Sequence, residues 1–312
     1  MSASPTPQPA LEKLFELEHH VVKAVFFHQA RGTVVTFEPM TSTLDTMSTV
    51  EGMGERFYQG MGFNTVAVIP RGQSWYRTPD ILKFLAQLVD SGTLRRYPMT
   101  ATFGFSMGAY GAMTYAALLG ADAVLSVAPI TSLDPRVAPF ETRFNTDLPV
   151  DWDGPCVDGA VGVAETNRFV CVYDPLSPPD DAHMRRVIKA REAMGLGGQY
   201  LRLPGVGHKT MGPLVFLDLI KTLSAQTLSG SIDAAAFHRA ARARRRLEQY
   251  YVTMAGSHRV RCSRAFQRIV SERKAAMRRS GRLIPMVDPK ALPNVANAEK
   301  LPWAVLAQAG AR

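Results

Sequence analysis

An α/β fold built on a mostly parallel, doubly wound sheet is what this sequence predicts, and three observations predict it. From Glu38 to Leu228 strand-like and helix-like segments alternate, the pattern of a parallel sheet covered on both faces. The central strand candidates are continuous apolar or β-branched runs, as strands buried on both faces require. Met99 to Gly120, MTATFGFSMGAYGAMTYAALLG, reads as strand, sharp turn and helix with Ser106 at the turn. A basic helical extension is expected to follow the sheet.

Taken in order, Met1 to Ala10 is rich in Pro, Ser and Thr and reads as a disordered lead-in, with a short polar helix through His19. Two strands, Val21 to His28 and Thr33 to Phe37, are expected to pair as a hairpin around Ala30-Arg31-Gly32. The alternating section then predicts a helix at Thr49 to Gly60, a strand at Thr65 to Pro70, and a helix at Pro79 to Leu94. Ile81, Phe84, Leu85 and Leu88 give that helix its apolar face, and Thr78 is its candidate cap. After Ser106 come a strand at Ala123 to Pro129, a strand at Arg168 to Tyr173, a helix at Asp180 to Met194, a strand at Gln199 to Pro204 and a helix at Met211 to Leu228. The 38 residues from Ile130 to Asn167 break the rhythm, and so long an irregular segment reads as a lid or pocket-forming insertion. The expected organisation is a lead-in over 1–20, a sheet domain over 21–230 with an insertion over 130–167, and the extension over 231–312.

Composition narrows the function classes. Hydrophobic residues make up 46% and charged residues 20%, as in globular proteins with an aqueous surface. The net charge of +9 is unevenly placed: residues 231–312 carry 17 Lys and Arg against 5 Asp and Glu, whereas residues 1–230 carry 19 against 22. Three scattered cysteines without a CxxC spacing suggest neither a disulfide framework nor a cysteine zinc site. No charged start precedes an apolar stretch, and no apolar run approaches membrane-spanning length, so a cytoplasmic location is expected. Without an HExxH, an EF-hand run, a P-loop or a full G-x-G-x-x-G after a strand, neither metal nor bound cofactor is expected.

The pentapeptide Gly104-Phe105-Ser106-Met107-Gly108 has the form G-x-S-x-G, and a β-carbon at either glycine would collide with a neighbouring strand or helix in so tight a turn. A serine hydroxyl needs a base to take its proton and a third group to orient that base. His208, directly after the last strand, is the candidate base, because loops at the carboxyl ends of parallel strands share one edge of the sheet. Asp174, at the end of the strand Arg168 to Tyr173, is the chosen acid; Asp180 and Asp181 remain alternatives with a structural use as helix caps. His183, on the helix that follows them, is expected to be solvated or partly packed.

On the GFSMG elbow and the D-P-L-x-P run after the penultimate strand, Val21 to Leu228 resembles the α/β-hydrolases, with nucleophile, acid and base in the order Ser106, Asp174, His208. The resemblance implies an oxyanion hole formed by the amide of Met107 and one from the Pro39-Met40-Thr41 loop. Pro39 has no amide hydrogen, so Met40 is the choice there. No glycine-rich HGGG signature stands at that loop, which argues against a typical lipase. Arg71, Trp75 and Tyr76 follow a strand at the same edge and are candidate substrate-binding residues.

These features imply a serine hydrolase acting on an ester or thioester, its substrate a small molecule or a carrier-bound acyl group. Transfer of the acyl group to another acceptor would use the same residues. The contrasting expectation is a non-catalytic binding or scaffold protein that uses its basic tail for an acidic partner. In the tail, Ala234 to Tyr251 and Ser263 to Arg279 read as amphipathic helices with basic faces, docked on the sheet domain or on a second subunit. No nucleic-acid motif accompanies the charge, and nucleic acid is not the expected partner.

Overall fold

The computed structural model describes residues 10–44, 47, 49–144 and 150–285. The proposed lead-in up to Pro9 and the stretch after Pro285 lie outside the described residues. The elements run β1 (Ala10–Glu16), β2 (His20–Phe27), β3 (Thr33–Phe37), α1 (Glu55–Gly60), β4 (Asn64–Pro70), α2 (Pro79–Asp90), β5 (Thr100–Phe105), α3 (Met107–Thr114), β6 (Ala123–Val127), α4 (Gly159–Gly162), β7 (Arg168–Tyr173), α5 (Pro178–Ala193), β8 (Gln199–Arg202), α6 (Met211–Phe216), α7 (Leu219–Ser229), α8 (Ala234–Ala241), α9 (Glu248–Gly256), α10 (His258–Arg261) and α11 (Arg264–Arg279).

Eight strands form one sheet in the order β1-β2-β4-β3-β5-β6-β7-β8, antiparallel at the β1 and β2 edge and parallel from β4 to β8. Alternation along the strands divides the core between two faces. Val35 and Phe37 of β3 pack with Ile81 and Leu85 of α2 and Tyr110 of α3, whereas Val34 packs with Tyr58 of α1, Leu223 of α7 and Phe237 of α8. Helices on both sides of a mostly parallel sheet are the arrangement expected from the sequence.

Residues 10–16 differ from expectation. Residues 10–16 form an edge strand rather than a polar helix, held by seven-residue pairing with β2, and Phe15 packs against Phe84 of α2 with ring centroids 5.0 Å apart. The expected hairpin of β2 and β3 is also revised. The chain does reverse direction at Gly32, but β4 lies between the two strands, pairing antiparallel with β2 and parallel with β3. Every residue of β3 and β4 is buried, so each is more stable with a strand on both sides than at an edge.

Two helices are shorter than their apolar runs suggest. Only Glu55–Gly60 of the Thr49 to Gly60 segment is helical, after Gly54 at φ 72°. The run from Met211 to Leu228 breaks at Asp218, which adopts φ 53° and separates α6 from α7. The basic extension shares the main core: Phe237 and Ala241 of α8 are buried with residues of β5 to β8.

Candidate active site

The strand β5 delivers Ser106 to the carboxyl edge of the sheet. Ser106 has φ 55° and ψ −115°, a strained conformation for a residue with a side chain, and its amide bonds the Val127 carbonyl at 3.0 Å. The flanking glycines permit this turn. A β-carbon on Gly104 would lie 2.0 Å from the Gly108 carbonyl oxygen, and one on Gly108 would lie 2.0 Å from that of Phe37.

His208 arrives from the loop after β8. Its Nε2 is 2.7 Å from Ser106 Oγ, and its Nδ1 is 3.0 Å from Oδ1 of Asp180. A carboxylate can only accept, so Nδ1–H donates to Asp180 and the neutral ring's Nε2 accepts from the serine hydroxyl. The carboxylate that meets the His208 ring is therefore that of Asp180, in the first turn of α5, and not that of Asp174. Both oxygens of Asp174 have other partners: Oδ1 accepts from the Leu176 amide at 2.8 Å, and Oδ2 accepts from Gly205, Val206 and Gly207 at 2.9, 2.8 and 2.6 Å. Asp174 thus fixes the loop that carries His208 without touching its ring.

The insertion reaches this site through a chain of buried charges. Arg143 Nη1 donates to Asp180 Oδ1 at 2.8 Å, while the other side of its guanidinium forks onto Glu141, with Nε to Oε1 at 3.0 Å. Glu141 in turn meets His183 Nε2 at 3.0 Å, and His183 Nδ1 meets the Thr131 hydroxyl at 2.8 Å. Burial opposes ionisation of Asp180, but the bond from His208 and the charge of Arg143 outweigh it and hold its carboxyl below the usual range. The same balance, with His183 and Arg143 as partners, holds Glu141 at about 2. Burial keeps His183 below its ordinary value despite Glu141. His183 is fully buried, where a solvated or partly packed position was expected.

Aromatic rings close the other side. Phe144 stands 5.3 Å from the His208 ring and Trp75 stands 5.5 Å behind Phe144. Of the three residues expected to bind substrate, Trp75 is thus a buried backing for Phe144. Tyr76 is buried in the core, its hydroxyl donating to the Glu38 carbonyl and its ring edge-on to Phe37 at 5.1 Å. Arg71 pairs with Glu16 at the antiparallel edge. Burial and ion pairing claim Tyr76 and Arg71 for the scaffold. Met107 begins α3, where first-turn amides lack intrahelical acceptors, and the side chain of Met40 packs against the cluster that contains Met107.

A second Ser-His-Asp group occurs between β2 and α2. His20 Nε2 is 2.9 Å from Ser74 Oγ, and its Nδ1 is 3.3 Å from Asp80. Ser74 is wholly buried, and its hydroxyl also accepts from the Tyr76 amide at 3.2 Å, so it ties a strand to a helix rather than presenting a nucleophile. Arg143, Glu141 and Phe144 were not singled out by sequence reasoning. Their only signal was membership in the long insertion. Among the described residues no group of three or more His, Cys, Asp or Glu side chains is placed to hold a metal ion, and no helix is long and apolar enough to cross a membrane.

No family model and no curated protein matches the chain. Solved structures do. Porphyromonas gingivalis dipeptidyl peptidase 4 matches 72% of this chain over 36% of its own, with TM-score 0.51 and 13% identity. An arylesterase matches 73% of this chain over 86% of its own, with TM-score 0.47 and 16% identity. The fluorophosphonate-binding serine hydrolase FphF of Staphylococcus aureus matches 72% over 99%, with TM-score 0.46 and 12% identity. With its strand order and its strained serine turn, the chain has the α/β-hydrolase fold.

Proposed function

We propose that the protein is a serine hydrolase that cleaves an ester or thioester through Ser106, His208 and Asp180. The observation that carries this reading is the continuous hydrogen-bonded relay from Ser106 Oγ through both ring nitrogens of His208 to a buried carboxylate. In the proposed reaction Ser106 Oγ attacks the acyl carbon as its proton passes to His208 Nε2. Asp180 stabilises the resulting imidazolium, and the Met107 and Met40 amides receive the oxyanion. The imidazolium protonates the leaving group, giving an acyl-enzyme. Water then attacks with His208 as base, releasing the acid and restoring the hydroxyl.

A fluorophosphonate probe tests the reading directly. Covalent labelling of the wild-type protein, lost in both Ser106→Ala and His208→Ala, is expected, and a screen of short acyl esters and thioesters would follow. A folded wild-type protein that takes no label would overturn the proposal.

A further inference from the structure

We infer that the C-terminal helices and the loops of the sheet's carboxyl edge together form a binding site for a free single-chain amphiphilic carboxylate, separate from the Ser106 site. α9, α10 and α11 stand over the loops that follow β7 and β8 and leave a cavity of about 740 Å³ between them. That volume lies within the range of small-molecule sites, roughly 300 to 1,000 Å³. Its walls are largely apolar, with Leu176 from the β7 loop and Val260, Phe266, Ile269 and Val270 from the helices. Leu176, Phe266 and Ile269 are 47%, 39% and 41% exposed, a concentration of large apolar side chains in water at one opening.

The charges around the cavity identify the other end of the ligand. Four basic residues of this region are already committed: Lys274 and Arg278 pair with Glu248, Arg268 pairs with Glu272, and Arg244 donates to the Pro204 carbonyl. Arg245 and Arg273 differ, for both line the cavity and neither has an acidic partner among the described residues. Tyr251 lines the same cavity and offers a hydroxyl donor there. Asp174 lines the same space, but its carboxylate already accepts from four backbone amides. An apolar chamber with two arginines free of acidic partners in its lining favours a hydrocarbon chain ending in an anion that can accept from a guanidinium. Gly205 and Gly207 form part of the floor, so an occupant would rest on the loop that carries His208.

The test uses the full chain in its Ser106→Ala form, so that binding is read whether or not the protein is a hydrolase. Laurate is the probe, and dodecanol, with the same chain and no charge, is the control, both followed by calorimetry. Saturable laurate binding at least tenfold tighter than dodecanol is expected, with the difference abolished in the Arg245→Gln, Arg273→Gln double variant. A diazirine-bearing long-chain carboxylate should crosslink within residues 250–273 or 174–178. Absence of saturable laurate binding, equal binding of dodecanol, indifference to the double substitution, or crosslinks confined to the surroundings of Ser106 would each overturn the inference.

Discussion

Asp174 and Asp180 lie six residues apart, and both carboxylates are buried, yet the fold settles their charges in different ways. Asp174 is neutralised by backbone: four amides from two loops converge on it. Asp180 meets side chains at Oδ1, one of them an imidazole that can gain a proton and the other a guanidinium that cannot lose one, while its buried Oδ2 has no hydrogen-bond partner among the described residues. A carboxylate saturated by amides holds a loop in place. One that faces an imidazole can respond to a developing positive charge, and of these two only Asp180 does so.

Exchanging each carboxylate for its amide tests the contrast where the largest effect is expected. In Asp180→Asn the acceptor for Nδ1–H is compromised, and the rate of fluorophosphonate labelling should fall by about 10³ to 10⁴ while the fold persists. In Asp174→Asn the protein should lose roughly 2 to 4 kcal/mol of stability in urea titrations, because several charge-assisted bonds are weakened together, with a smaller loss of labelling rate. A greater rate loss in Asp174→Asn than in Asp180→Asn would reverse the assignment.

Arg143 is the next place to break the contrast. Removing its charge in Arg143→Gln leaves Asp180 and Glu141 buried without their cation, and about 3 to 5 kcal/mol of stability should be lost. Arg143→Lys should recover only part of that loss, since an ammonium cannot present the planar fork that reaches both carboxylates. Equal stability of the Gln and Lys variants would mean that the guanidinium geometry contributes nothing.

These carboxylates also mark where the sequence is legible and where it is not. Ser106 and His208 could be read because the turn that presents the serine demands glycines at fixed positions and because topology brings strand ends to one edge. The choice between Asp174 and Asp180 could not be made that way. Both follow the same strand, and what separates them is whether the β8 loop's amides or the His208 ring arrives first at each carboxylate. That is a matter of three-dimensional approach, carried by no local pattern. The Arg143, Glu141 and His183 chain was hidden for the same reason, its members being scattered through an irregular insertion and a helix. Likewise β1 was hidden because its partner, β2, supplies the pairing that its own polar sequence does not advertise.

Glu38 supplies a third way to settle a buried carboxylate, and a smaller effect to measure. It lies at the end of β3 behind the serine turn, 2% exposed, with Oε1 accepting from the Met53 amide at 2.5 Å. Burial pushes its carboxyl up to about 8, against that one bond, so at neutral pH it holds a proton where Asp180 holds a cation and Asp174 holds amides. Its ordinary value is 4.5, so between 4.5 and about 8 the folded protein binds more protons at this group than the unfolded chain does. Its contribution to stability is therefore complete below 4.5 and is lost as pH rises toward 8, by at most about 1.4 kcal/mol per pH unit. Glu38→Gln keeps an acceptor for Met53 and removes the titration. Urea midpoints of the two proteins should converge or cross in the variant's favour from pH 5 to pH 8, since every other titrating group is common to both. Parallel stability curves across that range would show that Glu38 is ionised in the fold and settled, like Asp174, by hydrogen bonds alone.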